Sequence, residues 1–398
     1  MLSATAAEDR VDGRGRIIDL SPYYTTRFDA PGYDKAGKQL PSINPVFDGL
    51  RFDLRGQVTL WGRTMSERHE YCPVAARGIS VGAKFEELHL CHHARWTDVP
   101  GNTIGLVRLN YADGSRHEYP IVFGEHVRDW FFLPSYEDET LGDPEAKVIW
   151  RDPDEGNNHL RGFRRLWKTR FLNPHPERTV ATMDFESTRS FAHYSVVAAT
   201  IAARDETRQQ TPSIPFDQPK RRFTGKIEIT VLDQATGKPL PNVVVDPGTF
   251  TLGAGVVAEM LITDAKGQAT FRYWQEETTR VYLRIRGDGY VPQYKSFSGI
   301  IAENFEFRLV RGKTIGGVVM DDAQQPVEGA TVTLGMQAAC TDADGHWTLS
   351  GVSSSGYRPY RLTVGHPNFL TATFHIGREV DFADLGKNEA VLILSPGR

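Results

Sequence analysis

GNTIGLVRLNYADGSRHEYPIVFGEHVRDWFF, residues 101–132, carries the clearest structural signal in the chain. Strand side chains alternate between faces, so Ile104, Leu106, Arg108 and Asn110 fall on one face and Gly105, Val107, Leu109 and Tyr111 on the other. Asp113-Gly114 then turns the chain into Arg116–Phe123. Asp-Gly between two such runs is the strongest short-range hairpin signal, a type I′ turn whose two central residues both take positive φ. A long antiparallel hairpin is expected mid-domain, with the rest of the first half of the chain added to it strand by strand.

On either side of this hairpin, strand-like runs follow one another from Arg16–Tyr24 to His193–Ala203, separated by turn-rich loops such as Asp29–Pro45 and Asp152–Asn158. No segment sustains a helical period. Their number and length favour a jelly-roll sandwich over an immunoglobulin domain, with the strands at Arg16 and Ala203 side by side. Residues 205–222, RDETRQQTPSIPFDQPKR, have linker composition. An internal repeat follows. Gly237-Lys238-Pro239-Leu240-Pro241-Asn242-Val243 in the first copy answers to Gln325-Pro326-Val327-Glu328-Gly329-Ala330 in the second, and Thr263-Asp264-Ala265-Lys266-Gly267 to Thr341-Asp342-Ala343-Asp344-Gly345. In the Thr-Asp-x-x-Gly turn, Asp supplies a side-chain cap and Gly the positive φ.

These strings make residues 224–395 resemble two tandem carboxypeptidase regulatory-like (transthyretin-like) domains. The resemblance implies non-catalytic spacer modules of exported proteins. Residues 16–203 are similar to galactose-binding-like jelly-roll modules of large exported bacterial proteins, through Ile18-Asp19-Leu20-Ser21, Gly78-Ile79-Ser80-Val81-Gly82, Leu88-His89-Leu90-Cys91-His92, Tyr111-Ala112-Asp113-Gly114 and Val127-Arg128-Asp129-Trp130. The expected fold class is all-β, an N-terminal jelly-roll β-sandwich followed by two small transthyretin-like, Ig-like β-sandwiches. The expected organisation is 1–15 flexible N-terminus or signal remnant, 16–204 jelly roll, 205–222 linker, and sandwiches at 223–311 and 312–398.

Composition bounds the function. A 398-residue chain with 40% apolar and 24% charged residues is long enough for two or three cores. A net charge of -4 gives no pull toward nucleic acid, and no apolar run is long enough to span a membrane. MLSATAAEDR at the start reads either as the small-residue tail of a secretory signal or as a flexible start; the carboxypeptidase regulatory-like resemblance favours export to the periplasm, cell surface or medium. Cys72, Cys91 and Cys340 form no CxxC; a 72–91 disulfide is allowed, not demanded.

Two sets of residues are candidates for chemistry. His89, Cys91 and His93 share one strand face and suit zinc if His117 or His126 adds a ligand, unless they are packed strand residues. Five of the seven tryptophans fall before residue 205, and an indole beside Asp, Asn and Arg holds a sugar ring. That rule selects Trp130, Trp150, Trp167, Arg128, Asp129 and Asn173, although tryptophan also fills sandwich cores. No catalytic residues are assigned. Glu125, Asp129, Asp152 and Glu186 show no hydrolase spacing, and no nucleophile elbow, Walker A or HExxH occurs. Calcium is the second candidate metal and the candidate cofactor, through Asp152, Asp154, Glu155 and Asn157, unless that loop is a solvated turn. The sequence thus reads as an exported binding or scaffold protein whose first domain holds a carbohydrate or cell-envelope polymer. A structural or adhesive protein with protein partners is its neighbour. A polysaccharide-active enzyme using His92, His126 or the carboxylates is the alternative of a different class.

Overall fold

The computed structural model describes residues 11–28, 43–132, 141–151, 163–213, 223–251, 254–299, 301, 303–353 and 361–397. Among them the chain is all-β, in separate sandwiches with only short helices such as Arg63–Ser66 and Phe382–Lys387. Among the described residues no helix is long and apolar enough to cross a membrane.

Two antiparallel sheets make the first sandwich. The larger runs in the order Phe131–Phe132, Phe163–Leu172, Glu87–Arg95, His193–Ala202, Gly56–Thr59, Thr26–Arg27, with Arg16–Ile18 and Ala146–Arg151 alongside. The smaller runs Ala75–Ala83, Val180–Ser187, Thr103–Tyr111, Arg116–Val122. Leu88 and Leu90 from one and Val107, Leu109 and Tyr111 from the other meet in the core. Arg16 pairs with Ile201, so the first and last strands are neighbours.

The hairpin forms, but at the border of the smaller sheet. Of its two strands, Thr103–Tyr111 has a neighbour on both sides and Arg116–Val122 forms the edge. Its turn also differs from the expected one. Gly114 alone has positive φ, at 85°; its N–H donates to Tyr111 O at 3.0 Å, and Tyr111 N–H donates to Ser115 O at 2.9 Å. Asp113 instead accepts from Ser115 N at 2.9 Å and Ser115 Oγ at 2.5 Å. An Asx cap inside a turn closed by a left-handed glycine replaces the type I′ geometry.

The two central strands, Glu87–Arg95 and His193–Ala202, are buried on both faces. Their second face lies under a separate cluster that includes Phe47, Phe52, Leu54, Ile149 and Leu166. Part of the stretch read as linker is fastened there too. Arg208 donates to Glu87 at 2.7 Å, and Thr211 N–H to Asp48 at 2.6 Å.

The repeat has one topology used twice. Strand Gly225–Asp233 lies between Gln268–Tyr273 and a parallel Asn304–Leu309; Lys313–Asp321 lies between His346–Val352 and a parallel Ala390–Leu394. Each copy closes with a second sheet, built on Val244–Thr251 and Thr278–Arg286 in one and on Thr331–Leu334 and Arg361–His366 in the other. The matching turns make matching bonds. Thr263 Oγ1 donates to Leu240 O at 2.7 Å and accepts from Val243 N at 2.9 Å. Thr341 Oγ1 donates to Val327 O at 2.6 Å and accepts from Ala330 N at 2.8 Å. Asp264 and Asp342 each cap the backbone N–H four residues on at 2.8 Å.

The bond pair at the repeat turn predicts a stability effect. Thr341→Val keeps the shape but strips partners from a buried N–H and a buried carbonyl, so urea unfolding should show a loss of about 1–3 kcal/mol. Asp344→Ala, on the exposed tip of the same turn, should stay within about 0.5 kcal/mol. Equal effects from the two would contradict the assignment.

Candidate functional site

The six residues selected for sugar binding do not converge. Trp167 is wholly buried, with the Arg165 guanidinium 4.5 Å from its ring centre. Trp150 packs against the cluster behind the large sheet. Trp130 is half-buried and stacks on His93 at 5.0 Å. Asp129 accepts from Phe131 N at 3.1 Å, and its carbonyl accepts from Arg165. Asn173 is buried, accepting from Tyr111 Oη at 2.6 Å and donating to Phe85 O at 2.9 Å. Arg128 pairs with Glu259, which belongs to the next sandwich.

The histidine row is core. His89 Nε2 lies 3.0 Å from Glu87, and His93 bonds Gln57 at 3.0 Å and the Ala94 carbonyl at 3.1 Å. On the opposite face His92 bonds Tyr194 at 3.1 Å and Thr169 at 2.8 Å. Burial pushes His89 down to about 4, His93 and His193 to about 3, and His92 well below its ordinary value. Burial likewise raises the Cys91 thiol, and all three cysteines are free, so the 72–91 disulfide is not formed. Among the described residues no group of three or more His, Cys, Asp or Glu is arranged to hold a metal ion. The loop proposed for calcium, 152–158, lies outside the described residues.

The distinctive polar chemistry sits where the sandwiches meet. Strand Thr278–Arg286 puts Val281, Leu283 and Ile285 into its own core, and alternation then sends Tyr282, Arg284 and Arg286 outward. That face is covered by the first sandwich. Asp246, directly across from Arg284 in the sheet, reaches it at 3.3 Å. Glu67, at the end of the short helix Arg63–Ser66, bonds Arg286 at 2.7 Å and lies 3.6 Å from Arg284. The Arg63 and Arg286 guanidiniums sit 5.0 and 4.9 Å from the Phe191 ring centre. Only 7% of the Glu67 side chain and 9% of that of Arg286 is exposed. Burial raises the Glu67 carboxyl and lowers Arg286, while the facing opposite charges act against both shifts. Beside the cluster a cavity of about 370 Å³ is lined by residues of all three sandwiches, among them Arg63, Arg286, Tyr290, Gln337 and Ser350.

The third sandwich closes onto the first through its repeat turn. Buried Trp61 donates from Nε1 to buried Thr331 Oγ1 at 2.7 Å, and Arg189 donates to Thr341 O at 3.2 Å. Arg77 and Glu328 pair through two bonds of 3.1 and 2.9 Å. None of these ties was singled out in the sequence. Alternation alone places Arg284 and Arg286 on the outward face of their strand, and nothing local marks that face as covered.

Residues 314–384 match the family model for the carboxypeptidase regulatory-like domain, so the chain carries one such domain in its third sandwich. The search of curated proteins gives no match. Solved structures with partial likeness include the shaft pilin SpaA from Lactobacillus rhamnosus GG, at 11% identity over 44% of this chain and 98% of the pilin, with a TM-score of 0.19. A Streptococcal ancillary pilin aligns at 10% identity over 78% of this chain and 99% of its own, with a TM-score of 0.21. The Bacillus anthracis TIE protein aligns at 12% identity over 79% of this chain and 51% of its own, with a TM-score of 0.19. Likenesses this slight carry neither fold nor function to the present chain.

The buried histidines set an acid dependence. In the unfolded chain a histidine protonates near pH 6.5, whereas His89 and His93 stay neutral in the fold until about pH 4 and 3. Their stabilisation is complete above pH 6.5 and is lost as pH falls through that value toward the folded pKa. Unfolding free energy should drop by on the order of 1–2 kcal/mol per buried histidine between pH 7 and 5, and His93→Gln should flatten the slope by about one proton. A pH-independent free energy over that window would contradict the neutral, buried assignment.

Proposed function

We propose that this chain is a non-catalytic binding and scaffold protein of the periplasm, cell surface or medium. In this reading a jelly roll of the galactose-binding-like kind, residues 16–204, is braced by two small sandwiches, 223–311 and 312–398, with 205–222 as the connecting segment. The observation that carries the reading is the docking of both small sandwiches on the first, through Glu67–Arg286 and Trp61–Thr331. Residues spent on such contacts hold the three sandwiches in one arrangement, so their outer faces are presented as one fixed surface. The carboxypeptidase regulatory-like domain supports the accessory role, and its resemblance to spacers of exported proteins supports the location. Protein partners are the first class of ligand to test on the outer faces, with a cell-envelope polymer or carbohydrate beside them.

Docking makes the scaffold reading testable. Trp274 and Trp347 lie in the second and third sandwiches, the other five tryptophans in the first. Urea unfolding followed by tryptophan fluorescence and by circular dichroism should give one coincident transition. Glu67→Ala removes the carboxylate that bonds Arg286 and leaves it only Asp246 at 3.7 Å, at a cost of about 3–5 kcal/mol, and should split the transition. Separate transitions in the unaltered chain would contradict the scaffold, and release of reducing sugar from a polysaccharide panel would replace it with an enzyme.

A further inference from the structure

Between the first and third sandwiches lies a cleft of about 450 Å³ whose lining runs from Tyr24, Thr25, Tyr71 and Arg77 on one side to Glu328, His366 and Asn368 on the other. Its volume falls within the range of about 300–1,000 Å³ typical of small-molecule sites, and such sites favour domain interfaces.

The lining selects a ligand class. Two tyrosine rings are held in place by the backbone behind them. A Cβ added at Gly56 would come within 2.5 Å of a Tyr24 ring carbon, and one at Gly365 within 2.0 Å of a Tyr71 ring carbon. Rings seated this closely lose little freedom when a ligand covers them, which lowers the cost of binding. The one full cation and anion facing the cleft, Arg77 and Glu328, neutralise each other through two bonds and are 48% and 32% exposed. Further N–H groups and lone pairs on both remain chemically able to meet hydroxyls. His366 Nδ1 accepts from Asn368 N–H at 3.1 Å and the ring also bonds the Glu328 backbone, so it lines the wall as a fixed ring, and burial lowers its pKa. The exposed amide of Asn368 adds a donor and an acceptor at the rim.

A nucleic acid or acidic polymer needs uncompensated cations, and the pairing of Arg77 removes the one guanidinium in the lining. A lipid chain needs an apolar slot, and this lining is interrupted by polar groups on both sides. Flat aromatic rings among neutral donors and acceptors suit a molecule with apolar ring faces and a rim of hydroxyls. We propose that this cleft binds a neutral oligosaccharide, held by residues of both sandwiches at once. The proposal rests on the binding-and-scaffold reading and names its ligand. Because each wall comes from a different sandwich, a bound sugar also bridges the docked interface and stabilises it by mass action.

The test uses the full chain on an array of neutral and acidic oligosaccharides, followed by calorimetric titration of the best neutral hit. Asn368 is exposed, so Asn368→Trp fills the cleft with little effect on folding, which the unfolding midpoint checks; Tyr71→Ala removes one ring. Each should weaken binding at least tenfold. Hydrogen exchange should show ligand protection at 23–25, 71–77 and 366–368, a readout that needs no variant. Neutral sugars bound with unchanged affinity by both variants, or protection centred elsewhere, would overturn the cleft assignment and leave the scaffold intact. Preference for acidic sugars, or binding to none by the folded chain, would overturn the ligand class. The coincidence of the unfolding transitions judges the scaffold separately.

Discussion

A single charged strand face governs the arrangement of this molecule. Arg284 and Arg286 leave the core of the second sandwich on its outer face and are then covered by the first. Covering a guanidinium removes its water, and that is tolerable only where carboxylates replace it. Asp246 supplies one from the neighbouring strand and Glu67 the other from across the interface. Half of the compensation therefore belongs to another sandwich, and only one docking places it correctly. The net stability from such a cluster is small, since desolvation cancels most of the attraction. Its effect falls on which surfaces meet, because any other pairing strands a buried charge.

Much of the fold was legible because it is written in local chemistry. The Thr-Asp-x-x-Gly turns carry their own hydrogen-bond instructions, and Thr263 and Thr341 execute the same two bonds in both copies. Val107, Leu109 and Tyr111 fell on the core face that alternation assigns them. The turn at Asp113-Gly114 was misread in type because the dipeptide fits two geometries, and Ser115 decides between them by giving Asp113 a partner. The candidate site was hardly legible at all. A polar face looks the same in sequence whether water or a neighbouring domain covers it, and Trp167 turned into the core between the two sheets while Asn173 was drawn into bonds with Tyr111 and the Phe85 carbonyl. Glu67 and Trp61 find their partners more than two hundred residues away, and no spacing rule reaches that far.

The two cavities follow from the same cause. Where the twisted sheets of separate sandwiches meet, contact at a few anchored points leaves space between them. One gap is rimmed by the charged cluster, and the other by the tyrosines and the neutralised Arg77–Glu328 pair. The modules thus act as more than spacers. They complete walls that the first sandwich lacks, so any ligand of these clefts reports on docking as well as on its own contacts.

The most direct measurement is a double-mutant cycle on Trp61 and Thr331, whose bond joins the first sandwich to the third with both side chains buried. Trp61→Phe, Thr331→Val and the double variant would be compared by urea unfolding of the full chain. Docking as described predicts a coupling energy of about 0.5–3 kcal/mol, the range of residues in contact. Additive effects, with coupling indistinguishable from zero, would mean that the two sandwiches do not meet there and would contradict the account.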